Sequence, residues 1–211
     1  MPRKKVTPVD EDTRGTLDYH EIVGSILTGT QREGMEDLIA FMDEIGFFRA
    51  SCSGGNHLCK EGGLVEHSLN VMRTAINLAR SLKEDITTEF EDSIKIVSLL
   101  HDLGKCGQFG KEEYVPNVLK SGNTSTAKPF KRNPELLNVP HSIRSVILVT
   151  LYIDLTEEEQ HAILYHDGMY TPLGRELQGN ETELYLILHT ADMWCSRFLE
   201  GKKGEENEQS E

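Results

Sequence analysis

The residues best suited to chemistry are two histidines and two aspartates at widely separated positions. His67 sits in Gly62-Gly63-Leu64-Val65-Glu66-His67-Ser68, His101 and Asp102 open His101-Asp102-Leu103-Gly104-Lys105, and Asp192 closes His189-Thr190-Ala191-Asp192. Imidazole nitrogens and carboxylate oxygens of this kind hold divalent metals. His141 and His166 lie between the His-Asp pair and Asp192, where they could hold a second ion. Paired ions about 3.5–4 Å apart are a recurrent device for displacement at phosphorus. Spacing places each group on an apolar face. His67 precedes Val71 and Ala75 by one and two helical turns, His101 continues the stripe Ile94, Val97, Ser98, and Asp192 lies between Leu188 and Cys195. One histidine on an apolar face is ordinarily a satisfied core residue. A buried carboxylate is costly unless paired or bound to a metal, so several helices that each aim an ionisable group inward favour a metal site.

Periodicity predicts the helices that must position these groups. Thr16 to about Leu27 and Gly34 to Ile45 carry apolar residues at helical spacing. Leu64 to Leu82 is the clearest amphipathic helix, with Leu64, Ser68, Val71, Met72, Ala75, Leu78, Ala79 and Leu82 in one stripe and Arg73, Asn77 and Arg80 opposite. Phe90 to Leu103 is a second, ended by Gly104. Pro140 suits a first helical turn, and a helix should run to about Tyr152. Thr156-Glu157-Glu158-Glu159 reads as a capping box for a helix ending near His166. The last helix starts at Asn180-Glu181-Thr182-Glu183 and turns Leu184, Ile187, Leu188, Ala191, Cys195 and Phe198 inward, with Trp194 also expected in the core. Residues 104–139 read as a long irregular insertion with a short hairpin around Ser121-Gly122-Asn123, a length that often marks a lid or binding loop. No segment shows convincing strand alternation, so the expected fold is all-α, about seven helices around one core.

Composition narrows the function. The chain has 211 residues, enough for one domain, and a formal net charge of −13. That balance disfavours a general polyanion binder, so stable binding to duplex nucleic acid is not expected, yet bound cations can reverse the local field for a nucleotide. Cys52, Cys59, Cys106 and Cys195 form no Cys-x-x-Cys pair, and Cys106 has no partner to activate it. Ser51 to Gly63 is Gly-rich but lacks the Gly-Lys-Ser/Thr ending of a phosphate loop. Met1-Pro2-Arg3-Lys4-Lys5 is basic without an apolar core behind it, and no stretch approaches the ~18 apolar residues of a membrane span. The expectation is a cytoplasmic protein with reduced thiols and no membrane contact. Residues 1–15 and 201–211 read as disordered tails around a domain at 16–200. His20 and His161 read as surface residues, and Asp167 as a helix end.

In order and in flanks, these blocks resemble the HD-domain superfamily of metal-dependent phosphohydrolases. The resemblance runs through Gly62 to Val71, Leu99-Leu100-His101-Asp102-Leu103-Gly104-Lys105 and Leu188-His189-Thr190-Ala191-Asp192, and spans about residues 50–200. It implies an all-α fold with His67, His101, Asp102 and Asp192 around a first metal. Asp102 would bridge to a second ion in the subset that binds two, where His141 and His166 fit the extra ligand places; a mononuclear site is the alternative. Asp102 and Lys105 would be catalytic, Lys105 touching the substrate phosphate, and His57 would contact substrate near the entrance. His189 would orient Asp192 or pack. Nitrogen donors favour Mn²⁺, Fe²⁺, Zn²⁺ or Co²⁺, with Mg²⁺ admissible.

The implied reaction is phosphoester hydrolysis by a metal-activated hydroxide, of phosphodiesterase or nucleotidase type. Tyr165-His166-Asp167-Gly168, Pro172 and the acidic stretch before Leu188 are most similar to the HD domain of 3′–5′ exoribonucleases. Those usually carry an OB-fold, for which this chain has no room, so the expected substrate is a nucleotide, a cyclic nucleotide or a short oligonucleotide. The rival implied by the same ligand set is a di-iron oxygenase acting on a small molecule. A non-catalytic binding module ranks last, because all ligands are present. Oligomeric state and native metal stay open.

Overall fold

The computed structural model describes residues 11–201, with side chains from residue 19 onward. Residues 1–10 and 202–211, most of the two expected tails, lie outside the described residues. The described chain holds seven α-helices: α1 (Glu11–Gly29), α2 (Met35–Glu44), α3 (Gly63–Leu82), α4 (Thr88–Leu100), α5 (His141–Val149), α6 (Glu157–Tyr165) and α7 (Glu183–Trp194). The fold is all-α, as the periodicity implies. One correction concerns strands. The 104–139 insertion contains a small antiparallel pair, β1 (Tyr114–Pro116) with β2 (Phe130–Arg132), and a bridge between Val118 and Thr124 that encloses the expected turn at Ser121-Gly122-Asn123. Strands of three residues are too short to show alternation.

α3 is the central element, packed on α4 and α7, while α6 meets α4, α5 and α7. α3 buries Leu64, Val71, Ala75 and Ala79 of its stripe, and Leu69 beside it, in one core with Ile94, Val97 and Leu99 of α4 and Leu188 of α7. Each fully buried aliphatic side chain contributes about 1.5–3 kcal/mol by leaving water. Leu82, expected in the stripe, is 69% exposed, because the helix ends there and Lys83 is extended. No helix of the described residues is long and apolar enough to cross a membrane.

Several helix ends are set by local chemistry. The Thr87 hydroxyl caps α4 by accepting from Phe90 N, and Thr182 caps α7 the same way through Tyr185 N. α6 opens with the capping box read from sequence, Thr156 Oγ1 accepting from Glu159 N and Glu159 Oε2 from Thr156 N. Glu159 does more than cap. Its side chain is 0% exposed, pairs through both oxygens with Arg32 at 2.9 Å, and accepts from Ser93 Oγ of α4 at 2.8 Å. Arg32 also donates to the Asp154 carbonyl oxygen. One carboxylate thus ties α6 to α4 and to the α1–α2 turn.

The Glu159 network generates a stability prediction. Burial pushes its carboxyl group up, but Arg32, Thr156 N–H and Ser93 outweigh burial and hold it below its ordinary 4.5. A depressed carboxylate stabilises fully above its unfolded value and loses that contribution as pH falls through its folded one. Glu159→Gln should destabilise by about 2 kcal/mol at pH 7 in urea unfolding, discounted because Arg32 is partly exposed. The gap between wild type and variant should narrow below pH 4.5; an equal gap at pH 7 and in acid would refute the assignment.

Candidate metal centre

Each ionisable group reaches the centre from a different element. His67 lies in the second turn of α3, fully buried. His101 caps α4 in helical conformation. The α-helix was expected to reach Leu103 but ends at Leu100, because Asp102 leaves the helix with φ −104° and ψ 9°. Successive helical residues point about 100° apart, so this exit lets both His101 and Asp102 face one space. A 3₁₀ turn, Leu103–Cys106, then carries Lys105 back to an ion pair with Asp102 Oδ2. Gly104 allows the turn to touch α5. A Cβ there would fall on the His141 carbonyl oxygen and lie 2.9 Å from Arg144 Cβ and Ser145 N. Gly104 N–H donates to Ser145 Oγ at 2.8 Å, whose hydroxyl donates to the His141 carbonyl at 2.9 Å. That chain fixes His141 relative to Asp102.

The two oxygens of Asp102 face two sets of imidazoles. Oδ2 lies 3.6 Å from His67 Nε2 and 3.3 Å from His101 Nε2; Oδ1 lies 3.2 Å from His141 Nε2 and 3.5 Å from His166 Nε2. Asp192 Oδ1 stands 3.1 Å from His67 Nε2. These are ion-pair separations without hydrogen-bond geometry for three buried atoms: His67 Nε2, His101 Nε2 and Asp102 Oδ1 have no hydrogen-bond partner. Buried polar atoms left so are rare and costly, and their convergence is the pattern a cation would satisfy. Ligand atoms of His67, His101 and Asp192 lie within 4.8 Å of one another, as do those of His101, Asp102 and His166 and those of His141, His166 and Asp167. The residues present therefore fit divalent metal.

The hydrogen bonds of the other ring nitrogens fix the tautomers. His101 Nδ1 donates to Ser98 O at 2.9 Å and His166 Nδ1 to Ile163 O at 2.8 Å. A carbonyl oxygen only accepts, so in the neutral ring each Nε2 carries the lone pair. His189 Nδ1 donates to His166 O at 2.6 Å and its ring stacks on Tyr185, so it packs and braces the end of α6. Burial would push Asp102 up, but Lys105, His101 and His141 hold it well below the usual carboxylate range, and Asp192 is lowered in the same sense by His67. Both are anions at neutral pH.

Residues 64–193 match the family model of the HD domain, more than half of the chain. The chain belongs to the HD domain family. No curated protein and no solved structure matches it. HD domains are metal-dependent phosphohydrolases in general, and the matched segment contains every histidine and aspartate of the geometry above; His57 and Glu200 fall outside it.

Two cavities flank the centre of this HD domain. One, about 500 Å³, is lined by Arg49, Gln108, Tyr114 and Phe130 and meets the site through Lys105 alone. The other, about 250 Å³, opens directly on His166, Asp167 and Asp192 and is walled by Tyr170, Met193 and Arg197. The Arg197 guanidinium lies 4.6 Å over the Tyr170 ring. His57 lines neither of these two cavities. It sits beside His67, ring centroids 5.1 Å apart, with Nε2 3.2 Å from Cys52 Sγ. Burial, with His67 and Lys105 nearby, lowers His57 to about 4 and burial raises the Cys52 thiol to about 11, so both are neutral at pH 7. Burial also pushes the Cys106 thiol up, consistent with an unactivated thiol.

Some site residues escape the sequence reading. Asp167, read as a helix end, stands 3.4 Å from His141 Nε2. Glu200, read only as the domain's last residue, accepts from His67 Nδ1 at 2.8 Å. The cause is a π turn, Cys195–Leu199, in which Glu200 N bonds the Cys195 carbonyl five residues back. The wider turn shifts the helical phase, and it leaves Phe198 60% exposed where helical spacing placed it in the core; Trp194, the last residue of α7 and also expected in the core, is 55% exposed. Arg197 and Tyr170 carry no motif that would have singled them out. His20 and His161, expected on the surface, are half-buried against Phe48 and Tyr165.

The close approach at Gly104 predicts that Gly104→Ala lowers stability by about 2–3 kcal/mol, since neither the His141 carbonyl nor α5 can give way cheaply. Chemical denaturation checks this, and an unchanged midpoint would contradict the contact.

Proposed function

We propose that this HD domain hydrolyses phosphoesters of a nucleotide, a cyclic nucleotide or a short oligonucleotide with one or two divalent transition ions. The observation that carries the reading is Asp102, whose two oxygens face separate imidazole sets while its neighbour Lys105 supplies the nearest fixed cation. His67, His101, Asp102 and Asp192 are assigned to one ion. Asp102, His141 and His166 are assigned to the other, with Asp167 beside them. The nitrogen-rich set suits Mn²⁺, Fe²⁺, Zn²⁺ or Co²⁺. Bound ions would supply Lewis acidity at phosphoryl oxygens and lower the pKa of water.

The chain's own groups do the rest. Lys105, whose Nζ is held at Asp102 and whose residue lines the larger cavity, is placed to offset charge on the phosphoryl oxygens. Arg197 offers a planar two-pronged donor to phosphate at the mouth of the smaller cavity, and no ion pair engages it among the described residues. Tyr170, 64% exposed, keeps that guanidinium in place and offers an aromatic face to a base. In a chain of net charge −13, these local cations are what make an anionic substrate welcome.

Bis(p-nitrophenyl) phosphate hydrolysis by Mn²⁺-reconstituted protein tests the reading. Turnover is expected in wild type and its loss in Asp102→Ala. Lys105→Ala should lower kcat about 10²-fold, and Arg197→Ala should raise KM with little change in kcat, the signature of lost uniform binding. Turnover that survives Asp102→Ala, or O₂ consumption with iron and no hydrolysis with redox-inert Zn²⁺, would overturn it.

A further inference from the structure

The imidazoles of the centre are not supported alike. His101 and His166 use carbonyl oxygens three residues back in their own helices. His67 lies inside α3, and its Nδ1 instead meets the carboxylate of Glu200, 133 residues away, at 2.8 Å. That carboxylate is 2% exposed. Its second oxygen accepts from Asn70 Nδ2 at 2.9 Å, one turn beyond His67 on the same face of α3. Both oxygens are thus engaged, and the carboxylate plane is locked. The π turn Cys195–Leu199 is what delivers Glu200 to this place, and such turns concentrate at functional sites.

A carboxylate acceptor draws the Nδ1 proton more strongly than a neutral carbonyl does. The ring then gains electron density at Nε2, the atom that lies 3.1 Å from Asp192 and has no hydrogen-bond partner. We propose that Glu200 is a positioning residue that locks His67 with Nε2 toward the centre and makes the ion held by His67, His101 and Asp192 the tighter of two. This role rests on the metal reading above. Loss of such an outer carboxylate typically costs about 10–100-fold in metal affinity.

Mn²⁺ titration of metal-free protein by calorimetry, with bound metal counted after dialysis, tests it without any assay of turnover. Wild type should bind two ions of unequal affinity. Glu200→Gln, which keeps shape but removes the charge, should weaken the tighter ion about 10–100-fold and leave the weaker one unchanged. Asn70→Ala keeps the carboxylate but frees its plane, and should weaken the same ion by a smaller factor. It carries the test if Glu200→Gln does not fold. An unchanged tight affinity in either folded variant, or equal weakening of both ions together with a lowered melting temperature, would overturn the role and leave the metal centre standing. A wild-type protein that takes up no Mn²⁺ would overturn the centre itself, and this role with it.

Discussion

A fully buried carboxylate sets the terms for this structure. Asp102 lies deep in a helical bundle, and an isolated charge there would cost several kcal/mol. The fold answers by ringing it with His67, His101, His141, His166 and Lys105, drawn from α3, the end of α4, the adjoining 3₁₀ turn, α5 and the end of α6. The helices pack as they do in part because each must bring its polar group to the same few ångströms. Gly104 and Ser145 belong to this requirement as much as the ligands, since the approach of α5 to the turn depends on a missing Cβ and a shared hydroxyl.

Periodicity and its failures decide how much of the molecule is legible in the sequence. α3 is legible because its apolar residues recur at helical spacing across many turns, and its burial tracks that stripe until Leu82, where the helix ends. His67, His101 and Asp192 are legible for the same reason: a polar group on an apolar stripe stands out. Thr156 to Glu159 announces a cap, but nothing local says that Glu159 is also a buried partner for Arg32. Phe198 and Glu200 are illegible because a constant turn angle cannot foresee one widened turn. Asp167 is hidden by its position just after His166, where helix termination is the simpler account. β1 and β2 are too short to leave a pattern.

Positive charge is distributed with equal economy. Most lysines and arginines with a partner sit at the surface, as in Arg80 with Glu91 and Lys83 with Glu183, pairs that contribute little to stability. Lys105 differs from these, almost buried and engaged with a carboxylate of the centre. An acidic protein of this kind repels polyanions at long range, and an anion would be favoured only where the local field reverses.

The bond from His67 to Glu200 has a dynamic consequence. Glu200 sits at the end of a π turn that continues α7, and helix ends open far more often than helix interiors. The brace on one imidazole is therefore borne by the last turn of its helix, while the imidazole itself belongs to the interior of the bundle. Opening that last turn would release Glu200 without unfolding α3, so the end of one helix is coupled to a fully buried histidine of another.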